Sequence, residues 1–429
     1  YLAKKPFVQI ESTSEKYNTI QESIDAVTNT VETIKLLREL TTISSTSTIT
    51  VPEDKDIILD LNGYKILQNN TPFITNNGTF TLKDSSETTT NSNGYTVYSG
   101  TITSSVGNVI ENNGTFNYDC GTITSSNAIN GLITNNGTMN MNGGYLTSTT
   151  YSSNLIINNK DFIMNDGTLY LNYSNNLVNN SATGTFKIND GIIGAYFISS
   201  DSYYIFNNFG NMFIYGGTFN LNSTSWYCKA TFILNNETGN LVIDGIKDYK
   251  AIIYNTLINN GIADIKNSTF TRSGDSWQSA GIYGTKGTLN LTNVTNNSII
   301  QSNGNGTINI NSGNYSNSVS NISTGTINIF GGTITGGVSN TSTGTINIGT
   351  KGDLTEEGEL NVSKTNPNIT NSNGYGLTIS NGKVNFYDGI ISGTSGAISG
   401  TVNEIEDGYE IISGKTEDGK ESKYLALLP

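Results

Sequence analysis

A five-residue phrase recurs along this chain and leaves it few possible folds. Gly306-Thr-Ile-Asn-Ile310, Gly325-Thr-Ile-Asn-Ile329 and Gly344-Thr-Ile-Asn-Ile348 follow one another at a constant period, and Gly382 opens a related phrase two such periods after Gly344. Looser copies start at Gly78, Gly114, Gly137, Gly184 and Gly287, and degenerate ones at Lys160, Gly210, Gly239 and Gly261. Within a phrase the apolar residues alternate: Ile308 and Ile310 fall on one face, Thr307 and Asn309 on the other, which is the period of a half-buried strand. Two further short segments, typified by Gly332-Thr-Ile-Thr335 and Val109-Ile-Glu-Asn-Asn113, separate successive copies. Each repeat is therefore three short strands and three turns.

Strands this short cannot pair as hairpins in every repeat and still bury one common face. Stacking each repeat on the last, so that every strand pairs in parallel with its counterpart one coil away, solves the problem. The expected fold is all-β, a right-handed single-stranded parallel β-helix, or solenoid, of about fifteen coils. Asn112, Asn135, Asn158, Asn179, Asn207, Asn235 and Asn259 precede the repeat starts at an equivalent place. Stacked amides there predict an asparagine ladder, in corners whose backbone also suits Asn and Gly.

Open sheet edges at the ends of a solenoid invite aggregation, and both ends carry capping signals. Asn18 with Gln21 predicts an N-cap, and Ile20, Ile24 and Val27 form the apolar stripe of a short N-terminal capping helix. Tyr409-Glu-Ile-Ile412 and Ser422-Lys-Tyr-Leu425 flank Thr416-Glu-Asp-Gly419, predicting a C-terminal hairpin cap. The organisation expected is an N-terminal cap with the first strands at 1–56, the parallel β-helix at 57–400, and at 401–429 the hairpin cap with the start of a linker to a further module.

Composition narrows the function. The 429 residues include no His, which removes imidazole-dependent nucleophiles and His-ligated metals. A net charge of -13 and two arginines, Arg38 and Arg272, offer no phosphate-binding surface, so nucleic acid is not an expected partner. Every apolar run is far shorter than a bilayer-crossing helix needs, so no membrane-spanning segment is expected.

The order Tyr17-Asn-Thr-Ile-Gln-Glu-Ser-Ile-Asp-Ala26, Thr33-Ile-Lys-Leu-Leu37, Ile57-Ile-Leu-Asp-Leu-Asn-Gly63 resembles the N-terminal cap and first coils of pectin-lyase-like parallel β-helix proteins. Leu59-Asp-Leu-Asn-Gly63 followed by Asn76-Asn-Gly-Thr-Phe-Thr-Leu82, with Phe386-Tyr-Asp-Gly-Ile-Ile-Ser-Gly393 near the end, is similar to adhesin-like surface proteins of Gram-positive bacteria. The resemblance implies a β-helix in an extracellular, cell-surface or cell-wall-associated setting. It implies no particular ligand, because such proteins share a repeat and not a site.

Many β-helices act on polysaccharides, so carboxylates need weighing. Asp166 and Asp190 lie at the same offset from the repeat starts Lys160 and Gly184, and stacking would bring them about 5 Å apart, as a calcium site or carboxylate pair requires. Each also precedes Gly, as do Asp244 and Asp388, and Asp-Gly at a turn needs no catalytic explanation. Arg272 has Asp264 and Asp275 nearby in sequence but no signature joins them. No catalytic residues, metal or cofactor are expected. Cys120 and Cys228, four coils apart, are too distant to pair. Thr101 with Thr103, Thr122 with Thr124 and Thr333 with Thr335 suggest ice binding, but uneven coil lengths break those rows.

Coils between Gly184 and Gly287 are lengthened, and added loops on a solenoid often gather on a binding side. Trp226 and Trp277 fall at one and the same offset from their repeat starts, Gly210 and Gly261, with Tyr203, Tyr204, Tyr227 and Tyr283 in or near the same coils. These rings form either a shelf for sugar rings or a small satellite core beneath their own loops. The function expected is a non-catalytic module of a bacterial cell-surface protein, a rigid spacer and adhesive surface whose partners are a host or environmental glycan or protein receptor and other modules of the same protein. The alternatives are a carbohydrate-active β-helix enzyme, a lyase or glycoside hydrolase, and a glycan-binding fibre segment.

Overall fold

A computed structural model describes residues 5–28, 31–40, 48–125, 131–148, 154–173, 176–197, 204–223, 230–251, 255–272, 281–352 and 367–427. The chain divides into two compact units, Tyr1–Ala230 and Thr231–Pro429. Among the described residues they hold about 13 turns of parallel β-solenoid and one short helix.

In the first unit the repeat phrases become the strands Thr79–Lys83, Thr115–Tyr118, Thr138–Met141, Asp161–Met164, Thr185–Ile188 and Asn211–Ile214. Each pairs in parallel and in register with its counterpart one turn on. The other two segments of each repeat behave alike, giving a second and a third parallel sheet around one core. Alternation decides what lies inside. Phe80, Phe116, Met139, Phe162, Phe186 and Met212 form one interior column, none more than 2% exposed, with the Phe162 and Phe186 rings 4.7 Å apart and 10° from parallel. In the second unit Ile308, Ile327 and Ile346 stack in register, as do Ile310, Ile329 and Ile348, all buried. Thr307, Thr326 and Thr345 between them are half-exposed on the outer face.

The turn count falls short of fifteen because some turns are much longer than the period. Thr345–Ile348 pairs directly with Lys383–Phe386, so a stretch equal to two sequence periods makes a single turn. Thr79–Lys83 likewise pairs directly with Thr115–Tyr118, although nearly two periods separate their starts. Glycine opens most phrases because the stacked backbones approach closely there: a Cβ at Gly114 would lie 2.0 Å from the Gly78 carbonyl oxygen, and one at Gly137 2.0 Å from that of Gly114. A side chain at either position would need the local backbone to shift, although Lys160 takes the equivalent corner between Gly137 and Gly184.

The asparagine ladder is present, with one correction of register. Asn76 donates through Nδ2 to Asn112 Oδ1 at 2.7 Å, and the row continues through Asn135, Asn158, Asn180 and Asn208 at 2.7–2.8 Å. The interior members are Asn180 and Asn208, not Asn179 and Asn207. In those two turns paired asparagines occupy adjacent positions, and strand alternation turns the second one inward; Asn179 and Asn207 bond to each other in a row of their own. Asn76, Asn112, Asn135, Asn158 and Asn180 each also donate to a backbone carbonyl of the next turn, as Asn112 does to Thr138 at 2.9 Å. The row begins at Asn76 because its partner on the preceding strand is Val51, and the Asn76 Oδ1 is buried without a partner. In the second unit Asn235 bonds to Asn259 at 2.8 Å, and Gly284 and Ser302 then interrupt the row.

Both caps form. The helix Ile20–Ala26 buries Ile20 and Ile24, with Val27 buried just beyond its end, but its N-cap is Thr19 in a reciprocal capping box with Glu22, not Asn18 with Gln21. The Thr19 hydroxyl satisfies the Glu22 N–H while Glu22 reaches back, which Asn18 and Gln21 do not do. Gln21 instead faces the third sheet: its Nε2 donates to the Thr50 carbonyl at 3.2 Å and its Oε1 accepts from the Thr50 N–H at 2.7 Å, so one side-chain amide stands in for a neighbouring strand. At the other end Tyr409–Lys415 and Glu421–Leu427 pair antiparallel, and the latter also pairs antiparallel with Ile390–Gly393. Among the described residues no helix is long and apolar enough to cross a membrane.

The long turn after Gly78 carries an antiparallel hairpin, Thr88–Thr90 with Thr96–Tyr98. This strap lies on the outer face of the second sheet, where Tyr145 and Tyr170 occupy successive turns with ring centroids 6.3 Å apart. Burial pushes the Tyr145 phenol up to about 12; the neighbouring phenols of Tyr170 and Tyr95 add to the effect, and hydrogen bonds with Thr147 and Asn91 offset part of it. An unfolded chain sheds this proton near pH 10 and the folded one keeps it, so the contribution to stability is lost as pH rises from 10 to 12. In a Tyr145→Phe variant, ultraviolet titration should lack one late-ionising tyrosine, and the urea midpoint should fall less between those pH values than in the parent protein. Equal falls in both proteins would contradict the assignment.

Candidate functional site

Of the aromatic residues singled out by coil length, Tyr203, Trp226, Tyr227 and Trp277 lie outside the described residues. Tyr204 is half-buried at the start of Tyr204–Asn208, and Tyr283 is 8% exposed, which leaves its ring little surface for a ligand. Asp166 and Asp190 do occupy the same turn in adjacent coils, since Met164 and Ile188 pair in register. Each bonds to its own following glycine: Asp166 Oδ1 accepts from Gly167 N at 2.7 Å and Asp190 Oδ1 from Gly191 N at 2.8 Å. Asp264 pairs with Lys266 at 3.0 Å on the first sheet, whereas the backbone of Arg272 lies on the second, opposite Ala251. The Arg272 side chain, Asp275 and Cys228 fall outside the described residues. Among the described residues no three His, Cys, Asp or Glu side chains gather as a metal would require. Cys120 is half-buried, and burial pushes its thiol up, away from the thiolate a nucleophile needs.

The exposed feature that stands out is a patch on the first sheet of the first unit. Its outward column reads Asn117, Asn140, Ile163, Lys187, Phe213, one residue per turn in parallel register. Beside it, at the corner, Asp119, Asn142, Asn165 and Asn189 form an exposed row in which each Nδ2 donates to the oxygen one turn below, at 2.8–2.9 Å. The next member of that row is Tyr215, 44% exposed. The Phe213 and Tyr215 rings have centroids 6.3 Å apart and planes 16° from parallel, and the Lys187 ammonium sits over Tyr215, 5.4 Å from its centroid. Such a contact holds a ring in place by attraction of the cation to its face. The column is amide in one direction and aromatic in the other.

This patch escaped the sequence reading although its signal is plain in hindsight. Met212-Phe-Ile-Tyr215 is apolar throughout where every regular copy alternates with Asn, Thr or Lys, so two rings had to face outward. It falls within the stretch of lengthened coils, on the sheet and not on an added loop. A comparison of the whole chain with known protein families, with curated proteins and with solved structures finds no match to any of them.

Proposed function

We propose that this chain is a non-catalytic, extracellular module of a bacterial cell-surface protein, a stiff spacer that presents an adhesive face to a glycan or protein receptor and works beside other modules of the same protein. The observation that carries the reading is the pair of outward rings, Phe213 and Tyr215, steadied by Lys187 on a face that is otherwise mostly polar. Aromatic side chains supply large contact area with few rotatable bonds, and exposed clusters of them mark interaction sites. Stacked coils support the spacer role, because strands inside the stack are paired in parallel with the turn before and the turn after.

The double substitution Phe213→Ala with Tyr215→Ala should lower attachment to a panel of immobilised cell-surface polysaccharides and to whole cells by about tenfold or more. Both rings face outward, so the thermal midpoint should move by no more than about 3 °C. Unchanged attachment would remove the patch from the reading. Sustained turnover of any polysaccharide in the panel would overturn the non-catalytic part.

A further inference from the structure

The strap at 85–99 is joined to the first unit in an unusual way. Its β pairing is internal, and among the described residues no ladder links it to the sheet beneath. It runs along that sheet from turn to turn. Tyr98 N donates to Thr122 Oγ1 at 3.4 Å, the Tyr98 hydroxyl accepts from Gly144 N at 3.3 Å, and Asn93 Nδ2 donates to the Tyr170 hydroxyl at 3.3 Å. These are long bonds beside those of the coil corners, such as Asn136 N to the Asn112 carbonyl at 2.7 Å and Thr138 N to that of Gly114 at 2.9 Å.

Two features hold it. At the root, the buried Asp84 carboxylate gathers both feet: Oδ2 accepts from the Ser86 hydroxyl at 2.8 Å and from Gly100 N at 2.7 Å, while Oδ1 accepts from Gly63 N at 2.7 Å. At the tip, Tyr95 is only 6% exposed and meets the Tyr170 ring at 5.4 Å. Its seat exists because position 194 is glycine. A Cβ there would stand 2.8 Å from the Tyr95 hydroxyl oxygen and 2.7 Å from Cδ2 of Tyr170.

We propose that the strap is a latch-held cover, hinged at Asp84 and latched by Tyr95 over Gly194, that swings off as one piece while the coils stay folded and so uncovers the Tyr145–Tyr170 row. The coils do not need it: their strands are paired above and below without the strap, and their interior columns are complete. Opening breaks a few side-chain contacts, whereas opening a coil breaks parallel ladders and the buried amide row, so the two events belong to different cooperative units. The uncovered row would be a pair of near-parallel tyrosine rings on successive turns, 21° apart in plane, a surface suited to stacking against another ring.

Native-state hydrogen exchange on the full chain tests this. Strap amides at 88–98 should exchange at least about a hundredfold faster than those of Thr138–Met141, and should not slow or quicken in step with them as urea is added below the unfolding midpoint. Gly194→Ala should abolish strap protection, leave coil protection unchanged, and let Tyr145 ionise closer to pH 10. Because the alanine could disturb the sheet itself, Tyr95→Ala provides a second route to the same open state with the sheet untouched. The proposal fails if strap and coil amides lose protection together, or if strap protection survives both substitutions.

Discussion

Replacing Ile327 by Asp should be the most damaging single change in the second unit, with a loss of about 4 kcal/mol or more in urea unfolding and, at 37 °C, largely insoluble protein. Ile327 sits between Ile308 and Ile346 in an interior column of zero exposure. A carboxylate there has no cation and no N–H to receive, because the backbone groups around it are already used in the parallel ladders. It must either stay charged at great cost or take up a proton and remain poorly bonded. The matching change one position earlier, Thr326→Asp, places the same group on the outer face and should cost about 1 kcal/mol or less. A similar loss from both substitutions would mean that the inward and outward columns are wrongly assigned.

Asn135→Ala should be nearly as severe in the first unit, at about 2–4 kcal/mol. The Asn135 amide accepts from Asn112 at 2.7 Å and donates to Asn158 Oδ1 at 2.8 Å and to the Asp161 carbonyl at 2.9 Å. Alanine leaves the buried Asn158 Oδ1 without its donor and removes one donor from the part-buried Asp161 carbonyl, in a low-dielectric interior where an unmade bond is costly. Its exposed neighbour Asn136 also belongs to an amide row, donating to Asn113 at 3.0 Å, yet water can replace that bond. Asn136→Ala should therefore cost no more than about 0.5 kcal/mol. If the two variants unfold at the same urea concentration, burial is not what gives the interior row its weight.

The fold was legible because one period governs it. Ile308, Ile327 and Ile346 announce the interior column by spacing alone, and their neighbours Thr307 and Asn309 announce the outer face. The amide row was legible in kind but not in register where two asparagines stand side by side: nothing local distinguishes Asn179 from Asn180 until strand alternation is counted from Leu177 and Val178, both buried. The helix cap misled for a similar reason, since Thr19 and Glu22 compete with Asn18 and Gln21 for one motif, and only tertiary packing sends Gln21 toward Thr50. For the candidate site, coil length points to the added loops, most of whose aromatic residues lie outside the described residues, whereas the Phe213 and Tyr215 patch stands on a regular strand and is visible as a lapse in alternation. The strap could not be read at all. Tyr95 and Gly194 are far apart in the sequence, and their contact depends on how many turns the intervening chain makes.

The amide rows have a direction, and the inner and outer rows of the first unit disagree. From Asn76 to Asn180 every interior Nδ2 points to the turn that follows. On the outside, Asn113 to Asn77, Asn136 to Asn113, Asn142 to Asp119 and Asn165 to Asn142 all point to the turn that precedes. The second unit repeats the arrangement, with Asn235 pointing forward and Asn309, Asn328, Asn347 and Asn385 pointing back. A single row of aligned amides would sum to a macrodipole, as an α-helix does, and would leave partial charges of opposite sign at its two ends. Opposed rows offset part of that sum, so a turn added or lost in evolution changes the field at either end of a stack less than it would if all its amide rows were aligned.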